Sequence, residues 1–347
     1  MAAHKTQVVK APPTIEEVNS ELDRVKQRNK ELEKFARSDK DITILHDRMI
    51  RVMEESIETI VPKYNPRVIP TSQNKTHQHE HFLQLSDVHA GEVVEEEAVN
   101  GLNKYNWNEM ENHHDELLRG VCSFKENRPY PIRNIHVGIL GDMVSGIIHE
   151  ELVTTNEFPI IKASYKYGLV LGAFIEKLAQ IYEEVFVDAV IGNHGRVYEK
   201  WQAKERYNNF DWSTYQTARL RLAQYKNIHW QIPESSKLPI TICGRRVLLW
   251  HGDGPRTTMI GVPWGGIIRL CNNITNEWAR AKMPIDYFAV GHWHEPNVVR
   301  NILVNGSVIG PNEWSLDKFG YGVEPTQLLH TFHPVHGLAE TCYIDLK

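Results

Sequence analysis

Cysteine is scarce in this chain, with four among 347 residues, at Cys122, Cys243, Cys271 and Cys342. They lie far apart and form no C-x-x-C pair, which excludes a zinc knuckle and a disulfide framework and leaves them as reduced packing residues. Long apolar runs are missing too. No stretch reaches the roughly 18 apolar residues of a membrane span. Met1 to Pro13 has no apolar core of signal-peptide length, so no membrane partner is expected and the cytoplasm is the expected location. Positive charge is in deficit: 39 Lys and Arg against 44 Asp and Glu leave a net charge of −5, which excludes a protein coated in basic residues for nucleic acid but not a local basic patch. Hydrophobic content of 41% and charged content of 24% are those of an ordinary globular protein. The length suits one large α/β domain with an appendage, or two modest domains.

Histidine, by contrast, is plentiful at 18. Five of these fall within short segments that recur in a telling order: Asp87-Val88-His89, Gly141-Asp142, Gly192-Asn193-His194, His251-Gly252-Asp253 and Gly291-His292-Trp293-His294. The segments follow apolar runs, Phe82-Leu85, Ile135-Leu140, Val185-Ile191, Val247-Trp250 and Tyr287-Val290. Loops at the carboxyl ends of sheet strands present ligands in this way. Asp, Asn and His side chains together form the mixed oxygen and nitrogen donor set that two adjacent divalent ions need, and such a pair of ions promotes phosphoester hydrolysis.

The order resembles the calcineurin-like metallophosphoesterase family, whose pattern runs D-x-H, G-D, G-N-H-[D/E], H and G-H-x-H. The resemblance spans about Phe82 to the end of the chain. It implies that Asp87, His89, Asp142 and His294 hold one ion, that Asp142, Asn193, His251 and His292 hold the other, and that Asp142 bridges the two. It also implies that His194 approaches the phosphate, stabilising its charge or protonating the leaving oxygen, the alternative being a core histidine. With no thiolate among the donors, Mn²⁺ is the expected metal, with Fe or Zn²⁺ next. His149, followed by Glu150, is a second catalytic candidate that could reach the phosphate or orient His194, the alternative being a solvated histidine at a helix start. Asp253 is read as orienting the His251 loop. Two departures from the pattern are informative. Gly195 stands where Asp or Glu usually follows G-N-H, and no Asp-Arg follows Gly141-Asp142, which sets the chain apart from the Ser/Thr phosphoprotein phosphatases.

Organisation along the chain divides it into residues 1–61, 62–81 and 82–347. In the first, Ile15, Val18, Leu22, Val25, Asn29, Leu32 and Ala36 are spaced alternately three and four apart, a heptad seam with Asn29 at an a position. Glu21 with Lys26 and Arg28 with Glu33 would pair across a parallel dimer. A short coiled coil giving a homo-oligomer and a single amphipathic helix packed on the catalytic domain are equally compatible with this pattern. A second helix is expected from Asp41 to Ile60, after which Pro62, Pro66, Pro70 and a polar run to His81 read as a linker. His77, His79 and His81 would share one face of an extended strand. From Phe82 onward strands and helices alternate, the later strands following one another closely, so the expected fold is α/β with mixed sheets, and two packed sheets flanked by helices fit both this order and the fold that the resemblance implies. Expected helices are Trp107–Lys125, Ile160–Glu183, Asn209–Tyr225 and Gly265–Lys282, and Val298–Val304 reads as one strand.

Substrate is read from the stretch after His194. Arg196, Lys200, Trp201, Lys204 and Arg206 interleave basic and aromatic side chains, which can contact phosphates and stack on bases. The stretch reads equally well as a solvated loop. Gly192-Asn193-His194-Gly195-Arg196 and the residues after it are similar to phage-type relatives of the DNA double-strand-break repair exonuclease branch, so a nuclease cleaving DNA phosphodiesters is the first expectation. A phosphatase or cyclic-nucleotide phosphodiesterase acting on a small substrate is the second. A non-catalytic metal-bound interaction module, with Gly195 marking lost catalysis, is the third.

Overall fold

Phe82, Leu83 and Leu85 are buried on both faces of one strand, which is what a near-continuous apolar run does in the middle of a sheet. The computed structural model describes residues 78–198, 200, 204, 207–255 and 261–347. The helices, coiled-coil seam and linker expected before Gln78 lie outside the described residues. Strand β1 (His79–Leu85) begins before Phe82 because its histidines find partners. His79 stacks on Tyr130 with ring centroids 3.9 Å apart, and buried His81 hydrogen-bonds the Tyr182 hydroxyl at 2.7 Å.

Around β1 a six-stranded sheet forms in the order β11-β10-β1-β2-β3-β4. Its other strands are β2 (Ile132–Ile139), β3 (Glu184–Ala189), β4 (Ile228–Gln231), β10 (Thr326–His333) and β11 (Gly337–Asp345). β1 to β4 run parallel, while β10 and β11 are antiparallel additions. The second sheet comprises β5 (Lys237–Ile242), β6 (Arg245–Trp250), β7 (Tyr287–Val290), β8 (Asn297–Val299) and β9 (Ile302–Val304), in the order β5-β6-β7-β9-β8. Both sheets are mixed. They face each other across an apolar layer that includes Phe82, Val190, Val247, Leu249, Ala289 and Phe332, where each fully buried side chain contributes roughly 1.5–3 kcal/mol. The crossover helices α1 (Trp107–Glu126), α2 (Glu150–Thr155), α3 (Ile160–Ile181) and α4 (Phe210–Arg221) belong to the first sheet, α1 packing on β11 and α3, and α3 on β3 and α4. α5 (Trp264–Arg280) covers the outer face of the second sheet through Ile267, Cys271 and Ile274. α6 (Glu313–Phe319) precedes β10.

Two local differences from the sequence reading have physical causes. The run read as one strand over Val298–Val304 is a hairpin: Arg300 takes φ 56° and the Asn301 amide is tied to the Asp286 carbonyl at 2.8 Å, so the chain reverses without a glycine. The sequence reading has a helix start at His149 but no extent for α2, and it does not include the short helix α6. For α6 a signal was present, because Asn312 and Ser315 form a capping box and Gly320, at φ 75°, ends the helix.

A buried polar cluster ties the two sheets together. Glu80 accepts from Asn134 Nδ2 at 3.0 Å and from the Cys243 backbone N–H, in the β5–β6 turn, at 2.8 Å. His136 lies 3.8 Å from Glu80 and 3.4 Å from Asp188. Burial alone would raise the Glu80 carboxyl, yet the hydrogen bonds from His136, Asn134 and Cys243 outweigh it and hold the group down at about 2. Among the described residues no helix is long and apolar enough to cross a membrane.

Candidate metal centre

The five sequence segments lie just beyond the carboxyl ends of β1, β2, β3, β6 and β7, and their backbones are strained. Asp87 (φ 55°), His89 (φ 51°), Asp142 (φ 55°), His292 (φ 72°) and His294 (φ 55°) all sit in the left-handed region, at a cost of about 1–2 kcal/mol each for residues with a Cβ. Hydrogen bonds between loops maintain that geometry. The N–H groups of Val88 and His89 donate to the Asp142 carbonyl at 2.9 and 3.0 Å, and the His292 N–H donates to Asp87 Oδ2 at 2.9 Å. The glycines of G-D and G-N-H allow the two loops to touch: a Cβ on Gly141 would lie 2.3 Å from the Gly192 N atom, and one on Gly192 would lie 2.1 Å from Asp142 Oδ1.

The donor atoms converge. One group joins Asp87, His89 and His294, another Asp142, His251 and His292, and a third links His89, Asp142 and His194, with ligand atoms in each lying within 4.8 Å of one another. Asn193 joins the second group, its Oδ1 lying 2.9 Å from His251 Nε2.

The hydrogen-bond chemistry of His251 shows what this group is built for. Its Nδ1 lies 2.7 Å from the Leu140 carbonyl, which can only accept, so Nδ1 carries the proton. Its Nε2 then faces Asp142 Oδ2 at 3.0 Å and Asn193 Oδ1 at 2.9 Å. A lone pair aimed at two oxygens requires a positive charge between them. Burial lowers the affinity of His251 for a second proton, but Asp142 and Asp87 reverse this and lift the ring to about 10. The same oxygens would hold a divalent cation without that proton.

His89 leads to the same conclusion. It is buried, neither ring nitrogen makes a hydrogen bond, and Nδ1 lies 3.5 Å from Glu92 Oε2. An imidazole left without hydrogen-bond partners inside a protein is costly unless a ligand completes it. These residues therefore fit a pair of divalent ions.

His194 lies beside the donors and is oriented by its neighbours. Its Nδ1 donates to the Ser145 carbonyl at 2.8 Å, its backbone N–H donates to Asp142 Oδ1 at 2.7 Å, and its ring is 4.5 Å from that of His89. His149 precedes the first turn of α2 without a side-chain capping hydrogen bond, is exposed, and its ring sits 5.7 Å from the His194 ring.

Sequence reading missed Glu92 and Asp211. Glu92 accepts from Ser145 Oγ at 3.0 Å and Asn312 Nδ2 at 2.8 Å, beside His89. Asp211, buried in the first turn of α4, accepts three backbone N–H groups: Asp142 at 2.9 Å, Met143 at 3.0 Å and Gly192 at 2.8 Å. It thereby clamps the loop of Asp142 to the loop of Asn193. Burial and the neighbouring Asp142 carboxylate push its own carboxyl up to about 6. The spacing from Asn209 to Asp211 signals a helix start, but not which loops the carboxylate meets.

A cavity of about 340 Å³ opens above these donors. His89, Asp142, Asn193, His194, His292 and His294 line it, with His149, Glu151 and Leu152 among the further wall residues. Asp87 and His251 are buried and do not line it. Of the residues read as substrate-binding, Arg196, Lys200 and Lys204 do not line the cavity, and Trp201 and Arg206 lie outside the described residues. The Arg196 guanidinium turns back onto its own loop, donating to the carbonyls of Tyr198 at 2.9 Å and Asn193 at 3.1 Å.

No protein-family model matches this chain, and no curated protein sequence matches it. Solved structures give faint likenesses. A zinc complex of Vps29 from Entamoeba histolytica is 13% identical over 77% of this chain and 99% of its own, with a TM-score of 0.28. Vacuolar protein sorting 29 from Cryptosporidium parvum is 11% identical over 77% and 99%, with a TM-score of 0.32. Phosphopantetheinyl hydrolase from Mycobacterium tuberculosis is 11% identical over 70% and 94%, with a TM-score of 0.27.

Proposed function

We propose that the chain is a phosphodiester hydrolase dependent on two divalent metal ions, Mn²⁺ first among them, acting as a nuclease on the end of a DNA strand. The observation that carries the hydrolase reading is His251 Nε2 aimed at Asp142 Oδ2 and Asn193 Oδ1, in the middle of a donor set that needs positive charge. Asp87, His89, Asp142 and His294 would hold one ion, and Asp142, Asn193, His251 and His292 the other. Bound there, the ions would neutralise the phosphoryl oxygens and make a water molecule acidic enough to attack at neutral pH.

The protein's own groups would do the rest. With Nδ1–H fixed on the Ser145 carbonyl, the second nitrogen of His194 is the one left to hold a proton for the leaving oxygen. Asp211 and the two motif glycines hold Asp142 and Asn193 in place, so little reorganisation accompanies the reaction. The nuclease reading rests on the motif resemblance, and a cavity of about 340 Å³, room for about one nucleotide, supports action at a strand end.

A second reading, a phosphodiesterase of small molecules, is favoured by one observation: among the described residues no Lys or Arg lines the cavity. Hydrolysis with added Mn²⁺ of single-stranded DNA, duplex DNA, RNA, cyclic nucleotides and a bis-aryl phosphate, by the wild type beside Asp142→Ala, tests both. Degraded strands, lost in the variant, select the nuclease. Turnover of small diesters alone selects its rival, and no turnover of any of them by protein holding two metals overturns both.

A further inference from the structure

The wall of the cavity carries three aromatic side chains. Trp293 stands between two of the candidate ligands, and its ring lies 4.9 Å from that of His292. Trp314, in the first turn of α6, lines the same cavity while 58% exposed. Tyr321, just beyond the end of α6, lines it while 38% exposed, and its hydroxyl donates to Glu295 Oε2 at 3.1 Å. Gly322 and Val323 continue this wall. A single exposed aromatic is ordinary. Here two of them line one cavity with a third aromatic, and the same cavity is lined by a donor set for metal ions.

Charge narrows what can enter. Glu92, Glu151 and Glu295 line the cavity, and no Lys or Arg among the described residues does. Among the described residues no fixed cation lines the cavity to meet a second or third phosphate, so ions held by the donor set would be left to receive one phosphoryl group. A volume of about 340 Å³ is at the lower end of the range for small-molecule pockets. Sequence-tolerant stacking on Trp and Tyr is how proteins hold a nucleobase without reading its edges.

We propose that the cavity takes a nucleoside carrying a single phosphodiester, its base against Trp314 and Tyr321 and its phosphate over the donor set. This proposal rests on the hydrolase reading and names its substrate class. It applies equally to the last nucleotide of a strand and to a free nucleotide ester, which share that unit. Trp314 and Tyr321 are then specificity residues that touch the base, and α6 with the loop after it is the selective element of the site.

Two chromogenic diesters with the same leaving group and the same charge test this: thymidine 5′-(p-nitrophenyl phosphate), which has a base, and methyl p-nitrophenyl phosphate, which has none. With the full chain loaded with Mn²⁺, the thymidine ester is expected to show a KM about tenfold lower, the size of one stacking interaction. In Trp314→Ala and in Tyr321→Ala the ratio of the two KM values should fall toward one, while thermal unfolding shows the variants folded. Equal KM values in the wild type, or a ratio that survives in the Trp314→Ala/Tyr321→Ala double variant, overturns the substrate class and leaves the hydrolase reading standing. Hydrolysis of neither ester by protein shown to hold two metals overturns the hydrolase reading itself, and this proposal with it.

Discussion

Gly195 and Asp211 are packed so closely that a Cβ on Gly195 would lie 3.0 Å from the Asp211 Cγ and 2.2 Å from Asn209 Oδ1. The sequence pattern this chain resembles has Asp or Glu at that position. Here the room such a side chain needs is taken by the start of α4, which brings its own carboxylate to the loops of Asp142 and Asn193. The departure at Gly195 is therefore matched by an acid supplied from elsewhere in the chain.

Asp211→Asn puts an NH2 group where one of three backbone donors now finds an acceptor. We expect it to lower stability by about 2 kcal/mol, the worth of hydrogen bonds to a charged group, and to weaken Mn²⁺ binding. Urea denaturation and calorimetric metal titration measure the two effects. Metal affinity equal to that of the wild type would show that the loops are held in some other way. Gly195→Asp should also destabilise the fold, since the new side chain meets Asn209 and Asp211.

His194→Asn should lower kcat by about a hundredfold or more, the size of general acid–base assistance, with two metal equivalents retained by elemental analysis. His194 also lies within 4.8 Å of ligand atoms on His89 and Asp142. Loss of one metal equivalent in the variant would make it a ligand and remove it from proton transfer.

Binding of metal should stabilise the folded chain. An ion that binds only the folded state at a hundred times its Kd adds about 2.7 kcal/mol, so chelation should lower the Tm by roughly 5 °C. Differential scanning of the protein with Mn²⁺ and with chelator decides this, and identical transitions would speak against any metal in the native state. Asp142→Ala should lose most of the metal-dependent rise.

The Glu80–His136–Asp188 cluster makes stability depend on pH in a definite direction. Glu80 is held at about 2, below its usual 4.5, so its contribution is full above pH 4.5 and is lost as pH falls toward 2. His136 is raised above 6.5 by Asp188 and Glu80 despite its burial, so its contribution is full below pH 6.5 and fades as pH rises through its folded value. Stability from this cluster should therefore be greatest between those limits. Glu80→Gln should cost about 3 kcal/mol there, as breaking a buried pair does, and should flatten the acid limb. Chemical denaturation across a pH series reads both, and an unchanged acid limb would acquit Glu80.

The alternation of apolar runs with amphipathic stretches was enough to read a mixed α/β chain, because burial on both faces of a strand leaves a periodicity that needs no partner to be seen, while the division into two sheets leaned on the motif resemblance as well. Turns without glycine left no such mark, as at Arg300 and Asn301, nor did strands that open on histidines, as at His79 and His81. In the candidate site, the order of the short motifs singled out Asp87, His89, Asp142, Asn193, His251, His292 and His294, since their chemistry is carried by residue type. It could not show that Glu92, Asp211, Trp314 and Tyr321 stand around them.

The amino-acid sequence alone determined most of the strands and which candidate donor side chains follow them, because local propensity, burial pattern and ligand chemistry are written residue by residue. Only the tertiary structure decided that those donors meet, that a carboxylate from α4 clamps two of their loops, and that aromatic side chains line the cavity they share. Those relations depend on distances between residues far apart in the chain, set by the packing of two sheets and their helices.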